Sequence, residues 1–251
     1  MRVKLTAVFV ALLVLGYGGW WLVSHRSATS STTSMPKTTT KTTPATTFDK
    51  KKYSLTDPTS IWVIVNKQHP LQPATYTPSD LRYPNVTLRV PGQTEMQMRA
   101  PAATALEQMV GAAQQAGYKL EVSTAYRGYA YQKSLYDGYV KNAGQAAADQ
   151  ESARPGYSEH QTGLAVDLRT QTNQCSLQAC FGTLPEGKWL DANAYQYGFI
   201  LRYPADKTTV TGYEYEPWHF RYVGTDLSLA MHTQQSETLE EFFGVTGGTT
   251  Y

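Results

Sequence analysis

The clearest helical pattern in the chain lies between residues 102 and 115, where apolar side chains recur three and four positions apart. Leu106, Met109 and Val110 fall on one face of a helix with this spacing. Gly117 follows the last apolar position, and glycine is the residue that most often ends a helix. The pattern therefore predicts a core helix over 102–115.

Helical spacing returns from residue 129 to residue 142, with Gly144 as the expected stop. We predict a further helix over 187–196 and two short helices towards the end of the sequence. The last of these should begin at Thr238, because Thr238 and Glu241 have the spacing of a capping box.

Shorter apolar runs between these segments predict strands. Residues 119–123 alternate between the two faces of a sheet, and the other predicted strands cover 61–65, 163–168, 199–203 and 218–223. Helices and strands are interspersed without a regular strand-helix-strand alternation. This arrangement predicts an α+β fold, a single domain with a mainly antiparallel central sheet flanked by helices.

An uncharged apolar run over residues 5–23 precedes the domain and is just long enough to cross a bilayer as a helix. Arg2 and Lys4 stand before it, and Trp20 and Trp21 near its end suit a membrane interface. We predict a membrane anchor within residues 1–26 that directs the rest of the chain outward. A cleaved signal peptide, and hence a secreted domain, is the alternative.

Residues 27–48 are almost entirely Ser, Thr, Pro and Lys. Such a composition buries too little apolar surface to offset the entropy of ordering, and it predicts a flexible linker. The folded domain is then expected over 49–251, on the outer face of a cell membrane and attached by a single-pass helix.

Composition excludes one broad class of function. The 251 residues are 41% hydrophobic and 17% charged, as in globular proteins, and the formal net charge is only +2. Because the basic residues are scattered instead of forming a stripe, we expect no nucleic-acid partner. We expect a monomer.

The chain has two cysteines, Cys175 and Cys180, in the segment CSLQAC. Outside a cell such a pair is more often a disulfide than two free thiols, and a structural zinc site would need four ligands. We predict a local disulfide without a chemical role, worth about 2 kcal/mol in the chain-entropy model.

Two of the five histidines stand in segments that suggest a metal site. His160 is separated from Asp167 by six residues, and Glu216 precedes His219 by three. Hydrolytic zinc is typically held by three protein ligands, leaving a fourth position for water. His160, Asp167 and His219 satisfy that count. Since two predicted strands carry Asp167 and His219, the zinc should lie at the sheet.

A zinc peptidase also needs a proton carrier and a group that stabilises the oxyanion. Glu216 is the natural acid/base, since a carboxylate can take a proton from water and pass it to the leaving amine. Arg127, at the end of a predicted strand, could bind the oxyanion or a substrate carboxylate. A single His-x6-Asp spacing is usually an ordinary structural pair, but these features together favour a zinc site. His25, His69 and His232 lack such surroundings.

Over residues 62–243 the chain resembles the VanY-like D-alanyl-D-alanine carboxypeptidases of bacterial cell walls. The resemblance is carried by VNKQHPL, AYRGYAYQ, RPGYSEHQTGLAVDL, YGFILRYP and TGYEYEPWHFRYVG, which include the Ser-x-His-x6-Asp and Glu-x-Trp-His motifs. It implies an enzyme that removes the terminal D-alanine from peptidoglycan stem peptides.

The resemblance also implies roles for individual residues. His160, Asp167 and His219 match the zinc ligands, Glu216 the catalytic acid/base, and Arg127 the arginine near the scissile carbonyl. The residues that match substrate-binding positions are Gln132, Ser158 and Tyr203. Gly128 departs from the family pattern, in which serine is frequent at this position, and should leave the metal chemistry intact.

Three alternatives stay open at this point. The enzyme could be an L,D-carboxypeptidase that trims tetrapeptide stems, or an endopeptidase that cuts cross-links. It could also be a zinc-containing module that binds the wall without hydrolysing it. The presence of Glu216 beside a full set of ligands argues against this last alternative, because a binding module needs no general base.

Overall fold

A computed structural model describes residues 48–251 of the chain. The strands are β1 (Leu81–Arg82), β2 (Met98–Arg99), β3 (Leu120–Thr124), β4 (Ala165–Thr170), β5 (Phe199–Leu201) and β6 (His219–Tyr222). Four of them form a central sheet in the order β3-β4-β6-β5, in which every neighbouring pair is antiparallel. A separate two-stranded sheet pairs β1 with β2.

Helices flank this sheet, so that the predicted α+β fold with an antiparallel sheet is confirmed. The helices are α1 (Ala100–Gln115), α2 (Tyr129–Ala143), α3 (Gln145–Glu151), α4 (Pro185–Asn193), α5 (Thr208–Thr211), α6 (Thr225–Thr233) and α7 (Leu239–Phe243). Short 3₁₀ turns cover Thr94–Met96, Glu159–Thr162, Ala179–Thr183 and Ala194–Tyr197.

Helix α1 fills the middle of the main core. Leu106 and Met109 are fully buried on the face that the sequence spacing predicts. A proline near the first helical position suits the start of the helix, where its missing N–H costs nothing. The helix ends where Gly117 takes a positive φ of 93°, which glycine adopts readily.

The predicted strand over 61–65 is wrong. These residues are mostly buried but irregular, and the backbone N–H of Ile64 donates to the carbonyl oxygen of Leu55 at 2.9 Å, outside any strand ladder. Val63 packs in the main core, whereas Trp62 and Ile64 pack in a second cluster with α6 and α7. The apolar run is explained by this burial between two clusters, and none of the strands described within residues 48–251 pairs with it.

Other differences concern boundaries and short elements. Helix α3, helix α5 and the β1/β2 pair were not predicted from the sequence, because they are short and have little apolar periodicity. The segment predicted as one helix over 187–196 is divided between α4 and the 3₁₀ turn Ala194–Tyr197. Strand β4 begins later than predicted, because Gly163 ends the preceding 3₁₀ turn in the left-handed conformation.

The predicted anchor over 5–23 and nearly all of the linker lie outside the described residues. Among residues 48–251, none of the helices has both the length and the apolar character that crossing a bilayer requires.

Candidate metal centre

The antiparallel pairing of β4 with β6 brings two of the predicted ligands together. Asp167 on β4 and His219 on β6 are direct partners in the register, so their side chains project from the same face of the sheet. His160 comes from the 3₁₀ turn Glu159–Thr162 just before β4. All three side chains are buried, and one ligand atom from each lies within 4.8 Å of the others.

The three side chains face a common point. Nε2 of His160 is 3.3 Å from Oδ2 of Asp167, and Nδ1 of His219 is 3.1 Å from Oδ1 of the same carboxylate. The two imidazole rings are nearly perpendicular, with their centroids 4.9 Å apart. Each residue therefore turns one potential ligand atom towards the same small volume.

The outer nitrogens of both imidazoles face acceptors. Nδ1 of His160 donates to the carbonyl oxygen of Ala125 at 2.6 Å. Nε2 of His219 lies 3.5 Å from Oε2 of Glu159. Ligand histidines are commonly oriented in this way by an acceptor behind the ring. The arrangement leaves Nε2 of His160 and Nδ1 of His219 free to bind an ion.

Glu159 was given no role in the sequence analysis, yet it is the centre of a buried charged network. Its Oε1 accepts from Nε of Arg202 at 2.7 Å and from Nη1 of Arg221 at 2.8 Å. Burial favours the neutral acid, but the two guanidiniums outweigh it and hold the pKa of Glu159 well below its usual range. The sequence does carry a sign of this network, because Arg202 and Arg221 lie within apolar predicted strands, where a buried guanidinium needs a carboxylate partner.

The donor set fits a zinc ion. Two imidazoles and one carboxylate are a ligand set that catalytic zinc sites use. Oδ1 of Asp167 is buried and makes no hydrogen bond within the described part of the chain, which a bound cation would satisfy. Burial opposes ionisation of Asp167, but His160 and His219 keep its pKa well below the usual range. The carboxylate is thus ready to bind a cation.

Glu216 lies beside this centre, in the loop that leads into β6. The backbone of the loop is fixed, because Glu216 donates its N–H to Tyr203 and accepts from the N–H of His219, both at 3.0 Å. Oε2 of Glu216 is 3.7 Å from Nδ1 of His219. Its side chain is 26% exposed, into the cavity, and is otherwise enclosed. This burial raises the pKa of Glu216 to about 7.

Arg127 follows β3 and reaches the same cavity. Its backbone N–H donates to the carbonyl oxygen of His160 at 3.1 Å, which ties it to the turn that carries a ligand. Its Nη1 donates to Oε1 of Gln132 at 2.9 Å. Nε2 of Gln132 donates in turn to Ser152 and Ala153. The position of the Arg127 guanidinium is therefore fixed by Gln132, which is itself anchored to Ser152 and Ala153.

The structure separates the three residues that the resemblance implies for substrate binding. Ser158 and Tyr203 line a cavity of about 550 Å³, together with the three predicted ligands, Glu216 and Arg127. Gln132 is fully buried behind Arg127 and does not belong to the cavity lining. Its contact with the cavity runs through the arginine.

The other histidines of residues 48–251 and the two cysteines do not themselves line the cavity. His69 lies 3.0 Å from the hydroxyl of Thr246, and His232 stacks on Tyr195. Neither lines the cavity, and His25 is outside the described residues. Cys175 and Cys180 are joined by a disulfide bond.

Comparison with known proteins relates the chain to a family of peptidases. Residues 95–225 match the family model described as VanY, D-alanyl-D-alanine carboxypeptidase. The chain is 43% identical to the protein YodJ of Bacillus subtilis (strain 168) over 191 residues, which are 76% of this chain and 69% of YodJ.

Two solved structures are also similar. The LD-carboxypeptidase LdcB has a TM-score of 0.71 and 43% identity, covering 75% of this chain and 88% of LdcB. A vancomycin resistance D,D-pentapeptidase VanY, solved in complex with Zn(II), has a TM-score of 0.59 and 31% identity, covering 73% and 98%. Both likenesses extend over most of the described domain.

Proposed function

We propose that this peptidase, which belongs to the VanY family of D-alanyl-D-alanine carboxypeptidases, is zinc-dependent and removes the terminal D-alanine from peptidoglycan stem peptides. One observation carries the proposal. His160, Asp167 and His219 converge in a single cavity whose wall also contains Glu216.

The zinc would be held by Nε2 of His160, the carboxylate of Asp167 and Nδ1 of His219. When bound, zinc supplies a Lewis acid that makes water more acidic and polarises a carbonyl oxygen. The similarity to a VanY enzyme in complex with Zn(II) supports this assignment. So does the buried Oδ1 of Asp167, which makes no hydrogen bond within residues 48–251.

Glu216 is the proton carrier in this proposal. Its carboxylate takes a proton from the attacking water and delivers it to the amine of the departing D-alanine. Burial raises the pKa of Glu216, whereas a cation held by the three ligands would lower it and favour the ionised form, in which Glu216 begins the reaction as a base.

Arg127 stabilises negative charge. Its guanidinium lines the cavity and is fixed through Gln132, so it can face the carbonyl oxygen of the scissile bond without reorganising. Ser158 and Tyr203 line the same cavity, where their hydroxyls can bind the terminal carboxylate of the substrate.

A second candidate is the L,D-carboxypeptidase activity, in which D-alanine leaves a tetrapeptide instead of a pentapeptide. The observation that favours it is the likeness to the LD-carboxypeptidase LdcB, with a TM-score of 0.71 against 0.59 for the VanY enzyme. The metal centre serves either reaction, since both release the same amino acid. An endopeptidase would instead cut cross-linked peptides.

Localisation is part of the proposal. The apolar run over residues 5–23 would hold the domain on the outer face of the membrane, where it meets wall peptides and not cytosolic ones. Membrane fractionation, followed by protease treatment of intact cells, tests this. Recovery of the chain only from the cytosolic fraction would refute it.

The activity is tested by incubating the purified protein with stem pentapeptide and stem tetrapeptide separately, and following the products by mass spectrometry. We expect loss of one alanine from at least one of them, and the substrate that reacts identifies the class. A non-catalytic wall-binding module would leave both peptides intact.

A further inference from the structure

The disulfide loop, residues 175–180, forms part of the wall of the catalytic cavity. Leu177, Gln178 and Ala179 line the same cavity as the predicted ligands and Glu216. The disulfide predicted as a local stabilising bond therefore encloses a segment that faces the site.

The loop is anchored on both sides. On one side it follows β4, the strand that carries Asp167. There the backbone N–H groups of Asn173 and Gln174 donate to the carbonyl and hydroxyl oxygens of Thr170, at 3.0 and 3.1 Å. On its other side, Phe181 is fully buried in the main core. The position of the loop is thus fixed relative to the metal centre.

The backbone of this segment takes a conformation that ordinary side chains avoid. Asn173, Cys175 and Leu177 have positive φ angles of 61°, 52° and 51°. For Cys and Leu this conformation costs about 1 kcal/mol or more each, and it persists where surrounding constraints impose it. The disulfide is such a constraint, because it closes the chain on either side of Leu177.

The result is an apolar side chain presented to solvent at the cavity. Leu177 is 45% exposed, and Tyr139 of α2, which lines the same cavity, is 37% exposed. A lone exposed leucine is ordinary on a protein surface. Here a second exposed apolar side chain lines the same cavity, and the backbone of the leucine is held in a strained conformation.

Resting on the proposed function, we propose that the disulfide loop is a specificity element that binds the stem peptide upstream of the scissile bond, with Leu177 as its main contact. A carboxypeptidase substrate has a single residue beyond the scissile bond, and the bond itself has to lie at the buried ligands. The upstream residues then extend along the rest of the cavity wall, which includes the exposed side chain of Leu177. Leu177 would bury its side chain against their aliphatic groups.

The test compares two substrates with the same terminal pair of residues, one a short acylated dipeptide and the other the full stem peptide. In the full chain, Leu177→Ser should raise KM for the full stem about five- to tenfold, with kcat unchanged. The dipeptide, which does not reach the loop, should react as with the wild type. Leu229→Ser is the matched control, since Leu229 is also 45% exposed but lies on α6 away from the cavity.

Removing the disulfide bond provides a second test. Replacing Cys175 and Cys180 together by serine should raise KM for the full stem in the same way, while zinc content and the kinetics on the dipeptide stay unchanged. Equal losses on both substrates, or Leu177→Ser behaving as Leu229→Ser, would overturn the inference. If the wild type hydrolyses neither substrate, the proposed function itself has failed.

Discussion

Asp167 of β4 is the direct register partner of His219 of β6, and the ligand atoms of the two side chains are 3.1 Å apart. The sheet itself therefore sets the geometry of the metal centre. Because side chains alternate between the faces of a sheet, a shift of one residue in this pairing would turn one ligand away. His160 completes the set from the turn that precedes the same strand.

The first prediction concerns Glu216. Replacing it with glutamine keeps the shape of the side chain but removes its capacity to accept a proton. We expect kcat to fall about 10²- to 10⁴-fold while zinc content is retained. Glu214→Gln, two residues earlier in the same loop, is the control and should retain kcat. Full activity of Glu216→Gln in a D-alanine release assay would remove Glu216 from the mechanism.

The second prediction is that Gln132 acts through Arg127. Gln132 is buried behind the guanidinium and bonded to it at 2.9 Å. A double-mutant cycle measures this coupling. We expect Gln132→Ala to lower kcat/KM, and the double variant with Arg127→Ala to be no worse than Arg127→Ala alone. Additive losses would show that Gln132 has a separate role.

The third prediction concerns the buried network around Glu159. Glu159→Gln would leave the guanidiniums of Arg202 and Arg221 without a full counter-charge in the interior, and we expect the free energy of unfolding to fall by about 3 kcal/mol or more. Urea denaturation measures this. The matched control is Glu121→Gln, whose side chain is 11% exposed and pairs with the single guanidinium of Arg169, so that a smaller loss is expected.

The same network bears on the metal. Glu159 lies behind Nε2 of His219, so its loss should also weaken zinc binding about 10- to 100-fold. Competition with a zinc chelator gives the affinity. Unchanged affinity in Glu159→Gln would limit its role to folding.

The fourth prediction is a pH dependence of stability. Burial raises the pKa of Glu240, but Arg202 outweighs this and leaves the pKa below its usual value. A lowered folded-state pKa stabilises the fold above the unfolded-state value of about 4.3, and this contribution is lost as pH falls through the folded-state pKa. As the pH falls below about 4, the free energy of unfolding of Glu240→Gln should therefore decrease less than that of the wild type. Urea denaturation at a series of pH values measures this, and an equal decrease in the two proteins would contradict it.

Hydrophobic spacing was sufficient to predict the sheet and the larger helices. Helix α1 and the antiparallel strands that carry Asp167 and His219 follow from apolar periodicity, which reports burial directly. The same signal misled at residues 61–65, because a buried run that alternates between two clusters has the pattern of a strand, yet it pairs with no strand in the described part of the chain.

The sequence motifs were sufficient to predict which side chains converge at the site, but not which residues hold those side chains in place. Glu159 and Gln132 act through other residues, and their contacts join segments far apart in the sequence. The same holds for the disulfide loop, since the spacing of Cys175 and Cys180 predicts a bond but not which surface it shapes. Only the folded chain brings these groups together.

His160, Asp167 and His219 are proposed to hold one zinc ion that the enzyme needs. The decisive measurement is elemental analysis of the purified protein, with His160→Ala measured beside the wild type. We predict about one zinc per chain in the active wild type and almost none in the variant. A fully active wild type without zinc, or a variant with unchanged zinc content, would refute this metal site.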